Sequence, residues 1–267
     1  MVAVVKSNRV RRAHRRRNVL IGGSVLLVVV LLAVADWDTI RKNFFQEDIA
    51  REMFPEVITI AAKNTIIYTA AAFSFGLVLA LVLALMKRST IAPYRWFATA
   101  YIELFRALPA LITILLVAFA VPLAFDVRIP GGTLGKGTLG LGIVAAAYMA
   151  ETIRAGIEAV PRGQMEAARS LGMPKGTAMR YIILPQAFRI IIPPLTNELV
   201  LLIKDTSLLF IIGTTPVSKE LTKFARDFMT STQNATPLMV VAALYVIITL
   251  PLTFLVRQLE KKVGQGR

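Results

Sequence analysis

An all-α integral membrane protein is the fold class this sequence predicts, and three features predict it. Hydrophobic residues fill 56% of the 267 positions and mean hydropathy is +0.64, above the balance of a soluble domain. The apolar residues gather in runs that approach or exceed the ~20 residues a helix needs to cross a bilayer. The 31 Lys and Arg, set against 16 Asp and Glu, cluster beside those runs as the positive-inside bias requires. A net charge of +15 on a soluble chain would raise nucleic acid as a partner. With no RNA-binding motif and no soluble basic domain, none is expected here.

The elements follow in order. Residues 1–18 are a basic tail, with Arg11, Arg12, Arg15, Arg16 and Arg17 close together. Residues 19–35 are an apolar run ending Ala33-Val34-Ala35. The run resembles a cleavable signal, and Arg16-Arg17-Asn18-Val19-Leu20 resembles a twin-arginine motif. A retained signal-anchor helix is favoured, because polytopic membrane proteins usually need no cleaved signal. Residues 36–56 hold three cations against six acids, which suits the outer side. Five further spans are predicted at Val57–Met86, Ala98–Phe125, Leu139–Glu158, Ala187–Ile212 and Pro237–Val256.

Alternation places Lys87, Arg88 and Arg95 inside, residues 160–185 inside, and Arg257, Lys261 and Lys262 inside. Both termini are then cytoplasmic. Residues 126–138 and 213–236 fall outside, the second with an amphipathic helix across Pro216–Met229 that shows Val217, Leu221, Phe224 and Phe228 on one face. Trp37 and Trp96 suit the interfacial belt. Gly135-Lys136-Gly137-Thr138-Leu139-Gly140 matches a dinucleotide fingerprint but lacks the strand–turn–helix setting that gives it meaning. It reads as turn glycines in an outer loop. No P-loop is present, so nucleotide belongs to another chain.

Residues 160–185 are too charged for a bilayer yet lie between two apolar runs. Pro161 can open a short helix and Gly172 can close it; a second helix then runs from Pro174 to a stop before Pro185. On the first helix Met165, Ala168 and Leu171 fall near one face, and Arg162, Glu166 and Arg169 on another. This hairpin is either an amphipathic loop on lipid headgroups or a docking knob for a soluble partner. Its residues decide between them. EAARSLG followed by IILP resembles the EAA loop of permease subunits in bacterial ATP-binding-cassette importers. ETIRAGIEAVPRGQMEAARSLG and LPQAFRIIIPPLTNELVLLIKDTSL resemble the polar amino acid branch of that family, over roughly residues 58–260.

The resemblance implies a five-helix type I importer permease core, residues 57–260, plus one extra N-terminal transmembrane helix. It implies that the EAA hairpin seats on a cytoplasmic ATPase, with Arg162, Glu166, Ala167, Ala168 and Gly172 at the contact. Partners implied are ATP-binding subunits, a second permease copy or paralogue, an extracytoplasmic substrate-binding protein and membrane lipid. ATP and Mg belong to the ATPase, and no cofactor is expected on this chain. Location is the bacterial inner membrane. Glutamate or glutamine is the favoured substrate, with basic amino acids or cystine as alternatives.

Charge inside a span is costly and marks candidate function. Asn197 and Lys204 are seven residues apart, as are Glu198 and Asp205, so about two turns stack each pair on one side. With Ser207 they form a polar stripe, which either neutralises itself or binds a zwitterion, carboxylates to ammonium and Lys204 to carboxylate. Pro193-Pro194 can bend this span. Glu103 with Arg106, and Glu151 with Arg154, repeat an i,i+3 spacing near the cytoplasmic end. They are helix-end ion pairs or an inter-helix latch. Lys63, Asn64, Thr65, Tyr68 and Thr69 line an entry vestibule or simply end a span. An intramembrane enzyme would need a Ser–His, Asp–Asp or metal constellation. The only histidine, His14, lies in the tail, and cysteine is absent. No catalytic residue or metal site is expected.

Overall fold

The computed structural model describes residues 18, 20–27 and 29–264; most of the basic tail, residues 1–17, lies outside them. The chain divides into two units, Met1–Gln46 and Glu47–Arg267. In the first, residues 20–27 and 29–34 are helical. Helix α1 (Trp37–Phe44) follows, capped by Asp36, whose carboxylate accepts from Thr39 N at 3.0 Å and from the Thr39 hydroxyl at 2.7 Å. The Trp37 indole donates to Leu32 O at 2.7 Å.

The second unit is helical throughout its regular structure, and its helices are α2 (Glu47–Glu52), α3 (Val57–Lys87), α4 (Ala92–Ala107), α5 (Ala110–Phe125), α6 (Gly132–Glu158), α7 (Arg162–Ser170), α8 (Lys175–Ile211), α9 (Leu221–Thr232) and α10 (Thr236–Gly264). Helices α3, α8 and α10, the last taken to Lys262, are long and apolar enough to cross a membrane. So are α4 and α5 taken together, although they meet at 110°. The expected single span Ala98–Phe125 is therefore broken. Leu108 precedes Pro109 and takes an extended ψ of 139°, as a residue before proline prefers.

Helix α6 begins seven residues before the expected Leu139 and takes in the glycine run read above as an outer turn. Those glycines are contact points. A Cβ at Gly137 would come within 3.0 Å of Tyr68 and Leu209, and one at Gly140 within 3.2 Å of the Ile114 Cα. At Gly142 it would lie 2.5 Å from Phe75 and 3.1 Å from Ala72 O, and Gly76 of α3 faces Gly142 O in return. Small residues let two helix backbones approach where no hydrophobic effect drives association. Leu141, Ala146, Met149 and Ala150 accordingly lie in the main core with Ala72, Ala80 and Leu83 of α3.

A second core sits around the outer helix. Leu221, Phe224 and Ala225 of α9 pack with Met53, Val57, Ala61 and Val241. Phe228 is half-buried there, but Val217 is 74% exposed, a correction to the face expected across Pro216–Met229. Pro216–Ser218 forms its own 3-10 turn, so Val217 is out of register with α9.

Candidate functional site

The elbow comprises α7, the Leu171–Pro174 turn and the start of α8. Gly172 adopts φ +82°. Its N–H donates to Arg169 O at 3.0 Å and Met173 N–H donates to Ala168 O at 3.1 Å, the paired bonds of a Schellman cap. Met165 turns inward against the main core and Ala168 is 5% exposed. Arg162, Glu166, Ala167 and Gly172 face outward. Ala168 is thus packed against its own chain, contrary to its expected place on the docking face. Leu171, expected beside Met165, instead projects at the tip, 85% exposed, because the cap carries it off the helix.

The second arm does not stop before Pro185. Lys175–Ile211 is one continuous helix of 37 residues, about 55 Å long at the standard rise. A π-turn at Met179–Ile183 lies just ahead of Pro185, where the missing proline N–H would break an α ladder. Pro193 and Pro194 lie inside the helix. The two arms also meet where the Gln186 amide donates to Gln164 Oε1 at 3.4 Å.

Farther along the same helix, Glu198 and Asp205 both line a cavity of about 270 Å³, together with Leu108, Leu141, Tyr148 and Leu202. The 110° turn between α4 and α5 brings Leu108 to this wall. The expected stripe is split. Residues seven apart stay in register while adjacent ones diverge by about 100°, so Asn197 and Lys204 face outward, exposed, and do not line the cavity. Ser207 falls in the following 3-10 stretch, half-buried and off the cavity wall.

Glu151 forms an inter-helix ion pair with Lys87 at 3.1 Å and also binds Arg154, which in turn binds Glu158. The Glu103–Arg106 pair expected from the same spacing is not formed; Arg106 instead lies 5.7 Å from the Tyr148 ring. Lys87, read from sequence only as a marker of the inner side, is the partner that makes the Glu151 cluster cross between helices.

At the other end, Asn64 donates to Val217 O at 2.8 Å and Lys219 O at 2.9 Å, and the Tyr68 hydroxyl donates to Ser218 O at 3.1 Å. Thr65, Tyr68 and Thr69 are buried. Asn64 and Tyr68 tie down the outer turn, and of the set Lys63 alone is exposed. Sequence reasoning missed Glu220, which caps α9 from a buried position. The signal available was an acid directly before an amphipathic run. Burial raises its carboxyl to about 7, with bonds from Thr222 N and Lys223 N opposing the rise. Among the described residues, no group of three or more His, Cys, Asp or Glu could hold a metal ion.

A multi-span helical protein whose exposed elbow runs unbroken into a membrane helix bearing half-buried acids is built as a transport subunit. Residues 76–265 match the family described as "Binding-protein-dependent transport system inner membrane component", and the chain belongs to that family. Its members are non-catalytic, multi-pass inner-membrane translocation subunits that work with a separate ATPase. The chain is 36% identical to the probable glutamine ABC transporter permease protein GlnM of Bacillus subtilis, covering 76% of this chain and 91% of the relative. It is 36% identical to the arginine transport system permease protein ArgU of Corynebacterium glutamicum, covering 86% and 72%. Among solved structures, an amino acid ABC transporter crystallised with histidines superposes with a TM-score of 0.71 at 36% identity, covering 79% of this chain and 95% of that one. The MetNI methionine transporter shares the fold, with a TM-score of 0.65 at 20% identity over 79% and 98%.

Proposed function

We propose that this chain is the permease subunit of an ATP-driven amino acid importer, and that it turns closure of a partner ATPase into alternating access. One observation carries the reading: a single helix joins the exposed elbow at Lys175 to the acids Glu198 and Asp205. Arg162, Glu166 and Ala167 present the docking face, and Gly172 shapes it. ATP and Mg stay on the ATPase. An extracytoplasmic binding protein delivers substrate, as the family's description implies. Lys204 and Asn197 face outward from a span, where lipid would be a costly neighbour. That supports a second permease copy or paralogue covering them. The architecture is a five-helix core over residues 57–260 plus one N-terminal helix, with both termini cytoplasmic.

For substrate, the relatives' names favour a glutamine-type solute; relatives named for glutamine, arginine and cystine all match. The cavity favours a second reading. It is lined by two carboxylates and no cation, so its charge attracts an ammonium and opposes glutamate, and a basic side chain gains most. At about 270 Å³, just below the ~300 Å³ where drug-sized pockets begin, it suits one small solute. Uptake by the assembled complex, competed in turn by glutamine, arginine, cystine and glutamate, tests this. Glu198→Gln and Asp205→Asn should each cut uptake roughly tenfold or more with the complex still assembled. Normal uptake in both variants would remove the cavity from the substrate path.

A further inference from the structure

The outer segment holds an acid that the transport reading leaves unused. Glu220 is 0% exposed and accepts from Thr222 N and Lys223 N, each at 2.6 Å. From α10, the Tyr245 hydroxyl donates to its Oε2 at 3.3 Å and lies 3.2 Å from the Thr222 hydroxyl. From α3, Tyr68 is the other titratable group facing it, and Thr65 holds Leu221 N at 3.2 Å. The adjacent cations are engaged elsewhere, since Lys219 and Lys223 both bind Asp227 at 2.6 Å. Among the described residues no ion pair reaches Glu220. A buried carboxylate balanced only by helix N–H groups and a phenol is an expensive anion.

From this geometry we propose that Glu220 is a proton-linked clamp on the outer helix: it holds a proton while α9 is packed on the outer ends of α3 and α10, and releases it when α9 lifts and water reaches the carboxyl. The neutral acid keeps an oxygen as acceptor for the helix N–H groups. Opening therefore liberates one proton to solvent.

The sign follows from linkage. The packed carboxyl titrates near 7 and the released one near its ordinary 4.5. The packed state therefore gains stability as pH falls from about 7 toward 4.5, and that gain is lost as pH rises through 7. Between about pH 5.5 and about pH 8 the opening equilibrium should rise on the order of tenfold.

The absence of cysteine makes a clean assay possible. In nanodiscs holding the full complex, where both faces meet the reagent, Ala225→Cys reports lifting of a fully buried position. Thr230→Cys, at an exposed position on the same helix, corrects for the pH dependence of the thiol. The ratio of maleimide labelling should rise on the order of tenfold across that range. It should stay flat in Glu220→Gln, which keeps an acceptor and a donor but cannot titrate. In Tyr245→Phe, which removes a bond favouring the anion, the midpoint should move to higher pH. A flat ratio in the unmodified background, an unchanged slope in Glu220→Gln, or an unmoved midpoint in Tyr245→Phe overturns the proposal.

Discussion

Replacing Gly172 with valine tests the docking elbow at its most demanding backbone position. A Cβ there would meet nothing within 4 Å, so there is no steric cost from neighbours and the whole penalty is conformational. At φ +82° an L-residue costs about 1–2 kcal/mol, with β-branched residues at the upper end. In the free permease the turn can relax and shed that strain, surrendering the bonds from Gly172 N and Met173 N. If seating on the ATPase needs the capped geometry, as proposed, the strain returns on docking. At about 1.4 kcal/mol per factor of ten, ATPase affinity should fall roughly 5- to 30-fold. Titration of purified ATPase into permease nanodiscs measures it directly. Gly172→Asn should bind nearly normally, since asparagine tolerates this region. Gly176→Ala, an exposed change with open space around it and no positive φ, should be neutral. Affinity for Gly172→Val within about twofold of the parent would refute the idea that this cap shapes the docking surface.

Gly142→Val should destabilise the membrane core by about 1–3 kcal/mol, because the new atoms collide with Phe75 and with the backbone oxygen of Ala72; thermal unfolding in detergent checks it. Arg154→Ala leaves Glu151 and Glu158 without their shared partner and should raise basal ATPase activity of the complex roughly 3- to 10-fold if the cluster holds the inner side shut. Arg106→Ala should leave that activity unchanged, since among the described residues Arg106 forms no ion pair. Equal activity in both variants would remove the latch.

Much of this architecture was legible from local pattern. The hydropathy runs locate the three long spans α3, α8 and α10, and a proline–glycine frame outlines the elbow because caps depend on a few neighbouring residues. Several features were not. The glycines of α6 look like turn residues until a partner helix is present, and their role is set by Tyr68, Ile114 and Phe75, distant in sequence. Pro185 looks like a terminator, and only the π-turn ahead of it shows how the helix passes through. The charges of α8 were read as one stripe because a seven-residue spacing pairs residues but does not say which pair faces inward. Glu220 and Lys87 owe their roles to partners in other elements, Tyr245 and Glu151. The EAA segment was recognisable from its residues, yet the inward turn of Ala168 depends on the packing of the second arm.

The prolines of α8 give its motion a direction. Pro185, Pro193 and Pro194 each omit a backbone N–H, so the helix carries gaps in its hydrogen-bond ladder and yields to sideways bending there. Compressed end to end, it still transmits load through covalent backbone and the remaining bonds. Of the strokes an ATPase could deliver at the elbow, a thrust or twist along the helix would arrive at Glu198 and Asp205 nearly undiminished. A lateral swing would be spent at the prolines before it got there.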